Sequence, residues 1–518
     1  MRTGQGWVLA GIAAALAVTA CSSDGTAAPA ASAGPPPTRP ATTAATSSSP
    51  KQPALGPSGS DTGPVTGPDT GADAIPAGTG VAAAPGADRC AETPPRDPRT
   101  LTVWHRLGGD VAPAYLAAQL DEFAAEHPGV TVDLVYPAGT ADQVISELAR
   151  LPLSERPDVL LVPPGLARMA HDSLEFLAPA ECAAGERPAS LADLLPAVEA
   201  TFTVAGELWA APYNVSVPML MYDRVRWIHA GLDPDDPPAT FDELFATAEA
   251  LVASGEVTTG LALYDRSASW LVTQTAARDG RLLFEPDNGR NGVQIESVEF
   301  EQPGVVELLE RLHQLKAEGK LAWLRDNPGG TGDLLALVRS DTRSGMTFHT
   351  SASLGDIYAL LEAAGWDAEV GAAPLPGGSG TGASLGGGGW WLVDREDPAQ
   401  AAAAWELVDW LVQPERVGGL AAATGYVPTS AAAAESPVWV AQADTHPELR
   451  TAYEIAVASP TGDAAFFQVG PEVNVQRYLE LAVAFPIDAG SDPTTELQKN
   501  EALAFDILRW YATGQPDG

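Results

Sequence analysis

Residues Glu207 to Asp223 read ELWAAPYNVSVPMLMYD, and the two halves of this stretch carry different patterns. An aromatic, small and polar run ending at Ser216 passes into hydrophobic residues at every second position: Val217, Met219 and Met221. A period of two places alternate side chains on opposite faces of a strand. The stretch therefore reads as a strand that leaves one lobe and enters another. Asn214 and Ser216 then sit at the crossing, and a buried crossing between lobes is where polar groups that fix a small ligand are usually found. An ordinary core strand with two hydrogen-bonded polar residues has the same local pattern, so the rest of the chain decides between the two.

At 518 residues the chain is too long for one core and calls for two packed lobes plus an additional segment. It carries 29 Lys+Arg against 67 Asp+Glu, a formal charge of -38. That charge repels phosphate backbones and anionic bilayers, so nucleic acid is not an expected partner.

Upstream, Leu101 to Trp104 is a short β-type run, followed by a helical pattern from Ala112 to Ala125 and a second strand at Val130 to Tyr136. A helix at Ala141 to Arg150 leads into Asp158-Val159-Leu160-Leu161-Val162, a continuous apolar run of the kind buried on both faces of a parallel sheet. The lobe is predicted to be α/β and doubly wound. Ligands of such sheets bind beyond the carboxyl ends of the strands, which puts His105, Arg106, Thr140 and Pro163-Pro164 at the cleft edge. Downstream, Thr240 with Glu243 three residues on is a capping box and predicts a helix start. Further helices are expected at about 269–278 and 304–318, with a strand at 344–348. Beyond the glycine-rich stretch 376–389, a strand is expected at 390–393.

At the amino terminus, Arg2 precedes an apolar run, Trp7 to Ala17, that is too short for a permanent span, so residues 1–20 read as a signal peptide. The run ends in Val18-Thr19-Ala20-Cys21, which resembles the lipobox of bacterial lipoproteins and implies lipid attachment at Cys21. Residues 21–98 are dominated by Ala, Pro, Gly, Ser and Thr and are predicted to be a disordered tether. With Cys21 lipidated, Cys90 and Cys182 remain and most simply form a disulfide in an oxidising compartment. A shared metal is the rival, with no His or Cys at ligand spacing around them to support it.

The order of VWH, FAAEHPGVTVDLV, RPDVLLV, GELWAAPYNVSVPMLMYD and AGLDPDDPPATFDEL is similar to that in extracellular solute-binding proteins serving sugar-type ABC importers. The likeness continues through SGMTFHTSASL, VGAAPLP, the glycine run before Trp390-Trp391, and TGYVP at 424–428. PYNVSVP and TGYVP look most like the branch that binds glycerol-3-phosphate and glycerophosphodiesters. The resemblance implies an α/β, two-lobed periplasmic-binding-protein fold with multiple hinge crossings, in which ligand binding closes the lobes. By the same pattern, residues 99–212 and 384–428 make the first lobe and residues 213–383 and 429–513 the second. No cofactor is expected. The expected partners are a small solute, ABC permease subunits and the membrane through Cys21, with the chain itself a monomer.

Chemistry and resemblance together nominate the ligand-binding residues. Ser216, Ser351 and Gly388 match positions that offer hydroxyl or backbone N–H donors to an anionic oxygen, and Tyr426 matches the branch's tyrosine. Trp270 and Trp390 are candidate aromatic faces for a sugar ring or a quaternary ammonium, with core packing as the alternative for each. His105 and Asn214 complete the set. Departures matter too: Thr140 and Pro164 stand where the branch contacts glycerol, and its phosphate-binding arginine falls at Gln476 or Arg477 depending on register. A sugar or glycoside is thus the first choice of ligand and a glycerophosphodiester the second. No G-x-S-x-G, H-E-x-x-H or G-x-x-x-x-G-K motif supports an enzyme, although paired carboxylates of a glycoside hydrolase need no fixed spacing. A sensor or adhesin built on the same fold would keep the cleft without the importer.

Overall fold

The computed structural model describes residues 89–91, 97–183, 185–324, 332–338, 343–365 and 369–514. The expected signal peptide, Cys21 and most of the expected tether lie outside the described residues.

The first lobe is built from β1 (Arg99–Trp104), α1 (Val111–Glu126), β2 (Val130–Val135), α2 (Ala141–Leu148), β3 (Val159–Val162), α3 (Ala167–Ser173), β4 (Phe176–Leu177), α4 (Pro196–Phe202) and β5 (Ala211–Ser216). The chain then crosses into β6 (Pro218–Asp223), α5 (Phe241–Ser254), β7 (Thr259–Leu263), α6 (Asp265–Arg278), α7 (Val305–Ala317), β8 (Leu321–Trp323), β9 (Ser344–Thr350) and β10 (Val370–Pro374). It returns through β11 (Gly386–Val393), α8 (Pro398–Leu411) and α9 (Pro414–Thr424), and ends in α10 (Pro437–Thr445), α11 (Glu448–Val457), α12 (Glu472–Ala489) and α13 (Pro493–Thr513).

Two sheets result. The first has the order β2-β1-β3-β11-β4, with β5 also paired to β11; the second has the order β8-β7-β9-β6-β10. Both are mixed rather than purely parallel. β1 runs parallel to β2 and β3, but β11 is antiparallel to β3, β4 and β5. β7 runs parallel to β8 and β9, whereas β6 is antiparallel to β9 and β10. The returning strand enters from the other lobe, and its direction is fixed by that entry.

The opening stretch behaves as its pattern requires. β5 belongs to the first sheet and β6 to the second, and every residue of both strands is buried. Along β6, Met219 and Met221 join the core of the first lobe, while Leu220 and Tyr222 join that of the second. One strand thus contributes to both cores through its two faces. The Thr240 capping box is present: Thr240 N–H donates to Glu243 Oε2 at 3.0 Å, and Glu243 N–H donates to Thr240 Oγ1 at 3.2 Å.

Three findings differ from the expectations. The glycine run 386–389 is itself part of β11, hydrogen-bonded to β5, rather than a loop ahead of a strand. The helices after residue 429 do not pass directly to the second lobe. α10 packs on α9, and α11 packs on α4 as well as on β10, so the two bridge the lobes; α12 then packs on α6, α7 and α13. Third, α6 begins at Asp265, one turn earlier than its apolar spacing suggested.

Cys90 and Cys182 form a disulfide with Cα atoms 5.1 Å apart, which settles the choice against a shared metal. Beside it, Arg89 Nη2 pairs with Asp394 Oδ2 at 2.6 Å and Nη1 with Glu181 Oε1 at 2.9 Å. The start of the folded chain is therefore fastened to the end of β11 and to the residue preceding Cys182.

Candidate ligand-binding site

Val217 is the single residue between the two sheets, and its peptide groups are held by Ser351, the first residue after β9. Ser351 N–H donates to the Val217 carbonyl at 2.9 Å, and Ser351 Oγ accepts from Val217 N–H at 3.2 Å. A buried backbone group must find a partner, and here both groups of the crossing residue find the same one. β11 sets Gly386 opposite Ser216 and Gly388 opposite Asn214. Val427 N–H donates to the Val215 carbonyl at 2.7 Å, which brings Tyr426 alongside. Asn214, Ser216, Ser351, Gly388 and Tyr426 are thereby gathered from four separate segments.

Two glycines permit this approach. Gly387 has φ 106°, and a Cβ there would run into the Asn214 carbonyl. Gly425 has φ 87°, ends α9, and would drive a Cβ into the Ser351 carbonyl and Leu354. Both conformations are ones that side-chain-bearing residues rarely adopt.

Asn214 is 4% exposed, and its Oδ1 has no hydrogen-bond partner. A buried acceptor left unpaired costs about 1–3 kcal/mol, so an incoming donor is its natural complement. Ser216 and Tyr426 are each 8% exposed. Burial raises the Tyr426 hydroxyl above its ordinary pKa, opposed by the Asn214 side chain, so the phenol is neutral at physiological pH. Ser351 is fully buried inside the hinge, where its Oγ is already engaged by Val217.

The other nominated residues lie elsewhere or are otherwise engaged. Trp390 is a core residue of the first lobe rather than a ligand platform: it is fully buried, with its ring centroid 5.2 Å from that of Tyr213. Strand parity turns Trp391 to the opposite face, against Phe176 at 4.7 Å. Arg477 is held by Asp265 Oδ2 at 2.8 Å and Glu480 Oε2 at 3.2 Å, so its charge is already matched. Gln476 Nε2 donates to Ser269 Oγ at 3.1 Å.

His105 is 4% exposed and packs edge-on to Tyr136, with centroids 5.4 Å apart. Its Nδ1 accepts from Leu107 N–H at 3.2 Å and burial lowers its pKa, so the ring is neutral. His105, Arg106 and Pro163 line a small pocket at the carboxyl ends of β1 and β3. Thr140 caps α2, its N–H donating to Gln143 Oε1 at 2.9 Å, and Pro164 opens a buried 3-10 turn, Pro164–Leu166. Trp270 is partly buried on α6. Four residues before it, Arg266 pairs with Glu480; four residues after it, Gln274 Oε1 accepts from Ser384 N–H at 2.6 Å. Residues four apart share a helix face, and Trp270 itself packs against the core of the second lobe.

Glu472, the first residue of α12, escaped the sequence reading because an acid in a helix's first turn is commonplace. Its side chain crosses to the first lobe and lies against Gly165, where an added Cβ would come within 2.7 Å of its Cδ. It is partly buried, and desolvation pushes its carboxyl up to about 7, with Arg266 opposing and Glu480 and Asp142 adding to the rise.

Two α/β lobes joined through buried crossings, with polar groups gathered at the crossing, define a two-lobed solute-binding protein. Residues 118–448 match the family described as bacterial extracellular solute-binding protein, and the chain belongs to that family. It is 28% identical over 239 residues to the sn-glycerol-3-phosphate-binding periplasmic protein UgpB of Yersinia pestis bv. Antiqua, a match covering 45% of this chain and 52% of the relative. The chain thus spans about half the length of that relative. With the same-named protein of Pectobacterium atrosepticum it shares 25% over 345 residues, covering 65% and 74% of the two chains. Among solved structures, UgpB from Mycobacterium tuberculosis in complex with glycerophosphocholine has a TM-score of 0.64 at 16% identity, covering 80% of this chain and all of that one. The cyclic alpha-maltosyl-1,6-maltose binding protein from Arthrobacter globiformis gives 0.60 at 20%, covering 80% and 99%. At these identities the structural likeness speaks to the fold.

Gly387→Ala should destabilise the protein by on the order of 2 kcal/mol or more, because it forces a Cβ into the β5–β11 contact at a strained φ. Urea unfolding measures this against Gly380→Ala, which meets nothing within 4 Å. Equal midpoints for the two variants would contradict the described approach.

Proposed function

We propose that this protein is the solute-capturing lipoprotein of an ABC importer, anchored through Cys21, which closes its two lobes over a carbohydrate or glycoside and delivers it to permease subunits. The observation that carries the reading is the convergence of Asn214, Ser216, Gly388 and Tyr426 at the hinge. These are neutral groups, and Asn214 Oδ1 lacks a donor, which a hydroxyl-rich solute supplies. The tied Arg477 supports an uncharged ligand over a phosphate. The second reading is a glycerol-3-phosphate or glycerophosphodiester ligand, favoured by the ligands named for the relatives. Trp270, partly buried against the core of the second lobe, is the aromatic residue we nominate to stack on the solute in either case.

A thermal-shift screen of the full chain against saccharides, glycosides and glycerophosphodiesters tests the reading. A true ligand at about 100 times its Kd adds roughly 2.7 kcal/mol of stability. Trp270→Ala should weaken binding of the hit by on the order of 1–3 kcal/mol, while the unliganded melting temperature changes little. No saccharide hit, or undiminished affinity in the variant, contradicts the reading. For the anchor, Cys21→Ser should release the protein into the medium; continued membrane retention would refute lipidation.

A further inference from the structure

The cleft is defined by the carboxyl ends of strands from both lobes, and Glu472 stands between two of them. Gly165, which its side chain touches, lies three residues past the end of β3; Arg266, the cation that most opposes the rise of its pKa, lies three residues past the end of β7. Asp142 reaches the same place from the first turn of α2, beyond the end of β2.

Charge around this point is unbalanced. Arg266 pairs with Glu480 Oε1 at 3.2 Å, and Arg477 pairs with Asp265 and Glu480. Both guanidiniums are thus matched, while the Glu472 carboxyl makes no hydrogen bond or ion pair among the described residues. Asp142 Oδ1 is likewise buried with no hydrogen-bond partner. An independent observation comes from the hinge side, where Asn214 Oδ1, in a residue 4% exposed, is a third acceptor without a donor. Asn214 and Leu161 both flank Gly388, and Leu161 lines the pocket that extends to Ala141, the neighbour of Asp142. Oxygen acceptors without donors therefore lie on β5 and in the first turns of α2 and α12.

A surface of unpaired acceptors calls for a ligand that brings donors. Hydroxyl groups do so. A phosphomonoester dianion presents only acceptors and negative charge, and Glu472 already occupies the first turn of α12, where the helix dipole would otherwise favour an anion.

We propose that Asp142 and Glu472, one from each lobe, set the selectivity of the cleft, accepting hydrogen bonds from the hydroxyls of an uncharged solute and turning away phosphomonoesters. This rests on the carbohydrate reading above and sets the chain apart from its relatives named for sn-glycerol-3-phosphate. Facing Glu472 are Asp142 from α2, Arg266 from α6 and Glu480 from its own helix; Arg266 attracts its carboxylate, and the two acids repel it.

Calorimetric titration of the full chain with sn-glycerol-3-phosphate tests the proposal, using wild type, Glu472→Gln, Asp142→Asn and the double variant. The near-isosteric changes remove charge and keep shape, and each single variant carries the reading if the double variant does not fold. Wild type should bind this probe negligibly, and removing the charges should raise its affinity about tenfold or more. Tight binding by wild type, or no gain in any folded variant, overturns the selectivity pair. Failure of the carbohydrate reading is seen separately: a saccharide panel that gives no hit, together with a gain for sn-glycerol-3-phosphate in the variants, removes the sugar and leaves the pair standing.

Discussion

The two hydrogen bonds between Ser351 and Val217 are the constraint on which the rest of the structure depends. A strand that changes sheets leaves one peptide at the junction without ladder partners, and in a buried junction those groups must be paired. Ser351 supplies both partners at the end of β9, so the second sheet is pinned to the crossing rather than merely adjacent to it. Gly387 and Gly425 let two further backbones reach the same point, and side chains at Asn214, Ser216 and Tyr426 come together as a consequence. The candidate site is in this sense a by-product of satisfying a hinge.

The lobes also touch away from the crossing. Gln468 Nε2 donates to the carbonyls of Thr201 and Thr203 at 3.1 and 3.0 Å, and the Arg290 guanidinium donates to those of Ala200 and Thr203. Tyr511 on α13 donates to Asp172 on α3 at 3.0 Å. The first set captures carbonyls in the last turn of α4 and at Thr203, the residue that follows it. Burial lowers the Arg290 pKa, yet a guanidinium remains charged throughout the physiological range. These bonds define one edge of the lobe interface and restrict the directions in which the lobes can move.

Much of this was legible in the sequence, for identifiable reasons. The alternation from Val217 to Met221 marked a strand in both cores, the apolar run at Val159 marked a central strand, and Thr240 with Glu243 marked a helix start. What escaped depends on partners distant in the chain or on strand parity. Gly386 to Gly389 has poor strand propensity and is a strand because Gly387 must approach the Asn214 carbonyl. Which face Trp390 takes follows from the register of β11 on β3 and β5, which no local pattern encodes. Arg477 looked like an anion site until the fold brought Asp265, 212 residues away, to it. Glu472 became visible only when Gly165 and Asp142 of the other lobe were placed beside it.

The central claim is that the lobes move about the Val217 crossing when solute binds. Spin labels introduced as unnatural amino acids at Glu122 on α1 and Glu307 on α7, both exposed, report the distance between the lobes without disturbing the Cys90–Cys182 bond. A shortened distance on saturation with the solute identified by thermal shift is the predicted result. An unchanged distance, with binding verified in the same sample, would contradict hinge closure.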